Sequence, residues 1–142
     1  MKQLVALVLL LASYQAFAAD SAPQCPKTLE VVETPASVPA GYTAYFDGNP
    51  PIAATAQPTS LPLQSILFSD GPPPDQATLA PTTSTKKLLQ WKFDPSEDRD
   101  IWLICAYNAT NVIVATKLPR AITRCEVALE EDRKTAKSLN CR

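Results

Sequence analysis

The sequence predicts a mainly β fold: an antiparallel meander or small sandwich of about six or seven strands, with an irregular proline-rich N-terminal half and two disulfides. The chain carries 14 prolines against 3 glycines, and most of the prolines precede residue 82. Proline has no amide proton to donate within a helix, so the first half cannot be largely helical. After that point, short apolar and β-branched runs recur between turn residues, which is typical of antiparallel strands. Four cysteines follow an N-terminal leader, and an even number of cysteines in an exported chain favours disulfides.

The first 18 residues have the pattern of a cleaved signal peptide. Lys2 supplies a positive charge, residues 4–12 an apolar run, and residues 16–18 (Ala-Phe-Ala) a small-x-small cleavage site. We therefore expect cleavage after Ala18, and a single disulfide-stapled domain over residues 19–142 in the periplasm or outside the cell. The apolar run is shorter than the roughly 20 residues that span a bilayer, so we expect no membrane insertion after the leader is removed.

The proline-rich half offers two strand candidates. Residues 28–33 (TLEVVE) are β-branched and lie between prolines, and residues 63–69 (LQSILFS) end at an Asp-Gly pair. The stretch between them is rich in turn residues, and residues 50–63 are predicted to be a surface connection. Three consecutive prolines, residues 72–74, predict a short polyproline II segment.

The second half offers four strand candidates. Apolar and polar residues alternate over residues 89–93, as in a half-buried strand. Residues 101–107 (IWLICAY) are apolar on both faces, which predicts the central strand. Residues 112–118 follow after a short turn and predict a hairpin with it. Residues 122–129 supply the fourth run, and we expect the four runs to form an antiparallel meander.

The last segment is compatible with two structures. Residues 126–139 are dense in good helix formers. Alternatively, the chain turns near residue 132 and returns as a strand over residues 136–141, which places Cys141 opposite Cys125. The hairpin is favoured because a cystine needs Cα atoms roughly 4.4 to 6.8 Å apart. The remaining bridge is then Cys25 to Cys105, although four cysteines allow three pairings and spacing alone does not select one.

Most kinds of active site are excluded by composition. The chain has no histidine, which removes the commonest general base and all histidine-containing zinc sites. A formal net charge of −1 argues against nucleic acid as a partner. An acidic cluster lacks the spacing of a calcium loop and is predicted to be a solvated hairpin loop; its members are Asp94, Glu97, Asp98 and Asp100. We therefore predict no catalytic residue, no metal site and no cofactor.

The candidate binding surface combines exposed aromatic residues with a proline-rich turn. Prolines fix the backbone in advance and so lower the entropy lost on binding. An alternative is that Tyr42 and Phe46 cap the open end of the β core, while Trp91 and Trp102 are predicted to lie in that core. The surface consists of Tyr42, Tyr45, Phe46, Asp47, Asp70, Gly71, Pro72, Pro73 and Pro74.

The order of motifs resembles a group of small uncharacterised secreted proteins of Gram-negative proteobacteria. The most specific elements are residues 70–73 (D-G-P-P) and residues 102–107 (W-L-x-C-x-Y), together with the four cysteines. The resemblance implies a periplasmic location and assigns no activity and no catalytic residue.

Two functions are compatible with these observations. We expect a non-catalytic periplasmic binding or inhibitory module, because a disulfide-stapled β scaffold suits recognition. Its partner would be an unknown envelope protein or a glycan. The alternative is a carboxylate-dependent hydrolase of the cell envelope that uses Asp47, Asp70 or Asp75.

Overall fold

A computed structural model describes residues 22–32, 37–40 and 58–142. These residues form eight β-strands in two four-stranded antiparallel sheets, and one short 3-10 turn. The predicted mainly β fold is confirmed, with slightly more strands than expected. Over the described ranges, no helix is long and apolar enough to cross a membrane. The strands are β1 (Thr28–Val31), β2 (Thr59–Asp70), β3 (Thr83–Ser84), β4 (Leu88–Lys92), β5 (Ile101–Tyr107), β6 (Ile113–Lys117), β7 (Arg124–Leu129) and β8 (Ala136–Cys141).

The first sheet has the order β1-β2-β5-β6 and is organised by β2, which is 12 residues long. Its first part pairs with β1 and its second part with β5. The prediction that residues 50–63 are only a surface connection is therefore wrong from Thr59 onward. Pro62 fits within this strand because Leu63 N–H donates to Lys27 O on the β1 side. The nitrogen of Pro62 then faces the β5 side, where β5 has already ended opposite Leu63.

The second sheet has the order β3-β4-β7-β8, so the predicted four-strand meander is wrong. The β5–β6 hairpin forms as predicted, but β4 pairs with β7 instead of β5. The reason is the buried face of β4, which packs Trp91 and the following Phe93 against Phe68 of the first sheet. The ring centroids lie 4.9 and 5.3 Å apart. Strands β2 and β4 thus face each other across the core, and residues 93–100 cross from one sheet to the other.

The core lies between the sheets and is closed by two hydrogen bonds from aromatic side chains. Trp91 Nε1–H donates to Leu79 O at 3.0 Å, and Tyr107 O–H donates to Pro26 O at 3.0 Å. Burial raises the pKa of Tyr107. The prediction that Trp91 is a core residue is confirmed. Trp102 is only partly buried, because β5 alternates and its neighbour Leu103 is the residue that faces the core.

Both predicted disulfides are present. Cys25 bonds to Cys105 with Cα atoms 5.7 Å apart, and Cys125 bonds to Cys141 with Cα atoms 4.1 Å apart. The second bridge spans the β7–β8 hairpin, in which these two cysteines are direct cross-strand partners. The hairpin is therefore the correct alternative for the last segment, and the helix is not formed. The two bridges indicate an oxidising compartment.

Candidate functional site

The predicted binding surface is only partly within the described residues. Tyr42, Tyr45, Phe46 and Asp47 lie outside them, and so does the alternative in which these aromatics cap the core. The other half is described and forms a turn over residues 70–76, which we call the proline turn.

The proline turn begins with a position that requires glycine. Gly71 has φ +82°, and a Cβ added there would lie 2.7 Å from Asp75 Oδ2. L-residues with side chains rarely adopt this left-handed conformation. Gly71 N–H donates to Asp100 O at 2.8 Å, which ties the turn to the residue preceding β5. Ser69 is buried and its hydroxyl donates to Gly71 O at 2.7 Å.

The three prolines do not form the predicted polyproline II segment. Pro72 is extended, with φ −65° and ψ 156°, but residues Pro73–Asp75 form a 3-10 turn. The fixed φ of proline suits both conformations, so only ψ distinguishes them. The 3-10 form is stabilised by Asp75 N–H donating to Pro72 O at 3.0 Å and by Gln76 N–H donating to Pro73 O at 3.1 Å.

After the turn, the chain folds back along the end of β2. Gln76 adopts a left-handed conformation with φ 54°. Asp70 N–H donates to Ala77 O at 2.9 Å, and Leu79 N–H donates to Phe68 O at 2.8 Å. Pro72 and Pro74 remain exposed. The proline turn is therefore an exposed protrusion whose backbone is held by hydrogen bonds on both sides.

Ion pairs surround the base of the proline turn. Arg99 lies 3.5 Å from the Asp70 carboxylate and also pairs with Glu97. Lys117 Nζ lies 2.7 Å from Asp100 Oδ2, and this contact holds the pKa of Asp100 below its usual value. These side chains are partly exposed, so their ion pairs contribute little to folding stability. They do hold the charges in a defined arrangement around the turn.

The acidic loop between β4 and β5 is solvated, as predicted, but it is a crossover between sheets and not a hairpin loop. Arg120 lies 2.9 Å from Asp98 Oδ1, and its pKa is raised by that hydrogen bond and charge. Asp94 accepts hydrogen bonds from Ser96, which lower its pKa. Within the described ranges, no group of three or more histidine, cysteine or acidic residues is placed to hold a metal ion.

A second charged region lies at the opposite end of the strands. The β3–β4 and β7–β8 turns together line an open cleft of about 440 Å³. Two of the lining residues form an ion pair, with Lys137 Nζ 3.7 Å from Glu130 Oε2. The cleft is lined by Lys86, Lys87, Leu129, Glu130, Glu131, Arg133 and Lys137.

The carboxylates proposed for a hydrolase occupy different surroundings. Asp47 lies outside the described residues. Asp70 is engaged by the Arg99 guanidinium, and Asp75 lies against Gly71 in the proline turn. Sequence reasoning did not identify Arg99 as the partner of Asp70, because the two residues are 29 positions apart and meet only through the β2–β5 pairing.

Comparison with known proteins identifies the family. The family model described as "Type VI secretion system Tli immunity protein" matches residues 56–142, which is more than half of the chain. The chain belongs to this family. The match to the Tli immunity protein family runs from the start of β2 to the end of β8 and so includes the proline turn and every strand except β1.

A further relative matches a much shorter part of the chain. A protein of Azospirillum brasilense, described as an uncharacterized 16.3 kDa protein in the trpG 5' region, is 35% identical over 46 residues. The similarity covers 32% of this chain and 31% of that protein, so the chain spans about a third of its relative. No solved structure matches the chain. The resemblance to small bacterial proteins inferred from sequence is thus compatible with the Tli immunity protein family.

Proposed function

We propose that this protein is a periplasmic immunity protein, which binds a toxic effector protein of a type VI secretion system and blocks its action. The observation that carries the proposal is the family match, which includes seven of the eight strands, β2 to β8. An immunity protein acts by occupying its effector, and so it needs a preformed surface more than it needs catalytic groups. The absence of histidine from the sequence agrees with a non-catalytic role.

The periplasm is proposed from the leader and the disulfides together. Residues 1–18 have the signal-peptide pattern. Cys25 follows shortly after the expected cleavage site, and its bond to Cys105 joins the N-terminal arm to β5. Disulfides form and persist in the bacterial periplasm but are rare in the cytosol. An effector delivered into the envelope would therefore meet a folded inhibitor there.

The effector contacts are proposed to include the proline turn, together with the aromatic residues predicted from the sequence, Tyr42, Tyr45 and Phe46. The backbone of the proline turn is held by Asp100 O on one side and by Ala77 O on the other. A surface that is rigid before binding loses little conformational entropy in the complex. The neighbouring charges of Asp70 and Arg99 provide a polar rim of the kind found around protein interfaces.

A protection assay tests the proposal. Toxic type VI effectors of the source organism are directed one at a time to the periplasm of a sensitive host, with or without this protein. The full chain is expected to restore growth against its effector. A variant lacking residues 2–18 is expected to fail in cells, while purified oxidised protein spanning residues 19–142 still binds the effector in solution.

The two arms separate function from location. Protection by the leaderless variant would contradict the periplasmic site but not the immunity role. Absence of both binding and protection against every type VI effector of the organism would contradict the immunity role itself.

A further inference from the structure

Among the strands that the structure describes, β6 is an edge strand of the first sheet. One side of β6 pairs with β5, and no described strand pairs with its other side. The strand pairs without a register shift, contains no proline and carries one charged residue, Lys117. That charge is already paired with Asp100 at 2.7 Å. Natural proteins usually protect exposed edges with charges, prolines or bulges, because an open edge recruits another strand.

The other sheet edges are shorter or interrupted. Strand β3 has only two residues, and β1 has four, one of which is Glu30. Strand β8 carries Lys137 and has a register shift near its start. Among the described strands, β6 is therefore the edge best suited to accept a partner strand.

The hydrogen-bond pattern identifies which backbone groups of β6 are available. Leu118 N–H donates to Ile101 O at 2.8 Å. Because antiparallel pairs alternate, Val114 and Thr116 also bond toward β5. The amide and carbonyl groups of the other three residues therefore point away from β5, toward the edge of the sheet. These residues are Ile113, Ala115 and Lys117.

An apolar groove lies beside this edge. Its volume is about 190 Å³, and an apolar cavity of roughly 150 Å³ holds a benzene molecule, so the groove has room for one large apolar side chain. One wall is the N-terminal arm, which the Cys25–Cys105 disulfide holds in place. The lining residues are Gln24, Pro26, Cys105, Val114, Ala115 and Thr116.

The opposite face of the first sheet, which points away from the core, also exposes apolar side chains. Ile113 is 41% exposed, and Leu67 of β2 is 37% exposed. Between these two positions lie the exposed Ala115 and its cross-strand partner Ile104, which is buried at 6% exposure. Apolar side chains are therefore exposed on this face at β2 and at β6.

We propose that β6 is the docking edge for the effector protein, an extended segment of which adds as a further strand to the first sheet. This proposal rests on the proposed immunity function. Main-chain hydrogen bonds to Ile113, Ala115 and Lys117 supply affinity, and the groove selects an apolar side chain at an alternate position of the added strand. Because no charged residue lines the groove, the recognised segment is uncharged over the groove.

The size of the edge indicates a folded partner and not a short peptide. Specific protein interfaces bury roughly 1,200 to 2,000 Å², more than a five-residue strand supplies. The effector must then also cover the outward face around Leu67. Strands β2 and β6 are two strand spacings apart, or about 10 Å. The proline turn follows directly from β2, so one partner can contact both the proline turn and β6.

Two variants of the edge test this assignment with a matched control. Ala115→Pro removes an outward amide, and Ile113→Lys places a charge on the edge. The control Val32→Lys adds the same charge beyond β1, at a residue that is 54% exposed. The probe is the effector recovered in the protection assay. Both edge variants are expected to bind it at least about tenfold more weakly, while the control binds like wild type and all three keep the wild-type unfolding midpoint.

Amide hydrogen exchange provides a second readout that does not depend on variants. In the free protein, the amides of Ile113, Ala115 and Lys117 are expected to exchange much faster than those of Val114 and Thr116. Addition of the effector should slow the outward amides. The proposal is overturned if the outward amides are already protected in the free protein, which would mean that the chain itself or a second copy occupies the edge.

Failure of this assignment is distinguishable from failure of the immunity role. If wild type binds and protects but both edge variants bind with wild-type affinity, the docking edge is wrong and the immunity role stands. If the free protein is a dimer that Ile113→Lys dissociates, β6 pairs with a second copy and the assignment is also wrong.

Discussion

Removing the two disulfides one at a time should destabilise the protein unequally. The Cys25–Cys105 bridge closes a sequence separation of 80 residues, and Cys125–Cys141 closes 16. In the chain-entropy model, these closures contribute about 4.5 and about 3 kcal/mol, respectively, to the free energy of unfolding. Against a typical net stability of about 5 to 15 kcal/mol, loss of the longer bridge should bring the fold close to its limit.

The assay compares paired alanine variants. The double variant Cys25→Ala/Cys105→Ala and the double variant Cys125→Ala/Cys141→Ala each remove one bridge, and each includes one fully buried cysteine, Cys105 at 3% or Cys125 at 0% exposure. The packing losses are therefore similar, and the difference reports loop closure. Guanidinium unfolding should show a larger loss for the first variant, by about 1.5 kcal/mol.

A larger loss of stability on removal of the Cys125–Cys141 bridge would refute this reasoning. If the short bridge costs more, local strand pairing between β7 and β8 contributes more to stability than restriction of the unfolded chain. The result would also mean that the N-terminal arm is held to β5 mainly by contacts such as the Tyr107 hydrogen bond to Pro26 O.

Three further predictions concern the proline turn, the core and the β7–β8 turn. Gly71→Ala should lower the free energy of unfolding by about 1 to 3 kcal/mol. Adding Asp75→Ala should restore only part of this loss, because the contact at 2.7 Å is relieved while the left-handed φ remains. Complete restoration of stability in urea unfolding would contradict a strained backbone at Gly71. Trp91→Ala should cost about 3 to 5 kcal/mol, and the partly exposed Trp102→Ala clearly less, so equal losses would contradict the assignment of Trp91 to the core. Hydrogen bonds from Thr135 lower the pKa of Asp132 to about 2, from 3.8. A carboxyl group whose pKa is lower in the folded state stabilises the fold at a pH above its unfolded pKa, and this effect is lost as pH falls through its folded pKa. The difference in unfolding midpoint between wild type and Asp132→Asn should therefore shrink between pH 4 and pH 2. A difference that stays constant over this range would contradict the lowered pKa of Asp132.

The local strand pattern could be predicted from the sequence because it depends on neighbouring residues. Strand β5 was expected over its full length from its apolar run, and β8 from the need to place Cys141 opposite Cys125. The β5–β6 hairpin follows from a short turn between two strand-forming runs.

The division into two sheets could not be predicted in the same way. Alternation over residues 89–93 shows that one face of β4 is buried, but not that Trp91 packs against Phe68 of another sheet. Strand β3 has only two residues and carries no periodic signal. The polar start of β2 becomes a strand because β1 pairs with it, which is a long-range event.

The candidate site was predicted only in part for similar reasons. The Asp-Gly pair indicated a turn, and the structure places a turn there. Its contacts with Arg99 and with Asp100 O depend on the pairing of β2 with β5 and leave no local signal. The free edge of β6 was missed because an edge is defined by sheet order, which the sequence pattern did not reveal.

We propose that this chain neutralises a toxic type VI effector by binding it in the periplasm. The most direct measurement is growth of cells that carry the periplasmic effector, with and without the full chain, paired with titration of the purified effector by oxidised residues 19–142. We expect restored growth and saturable binding to the same effector. Unchanged toxicity at a saturating concentration of the folded, oxidised protein would contradict it.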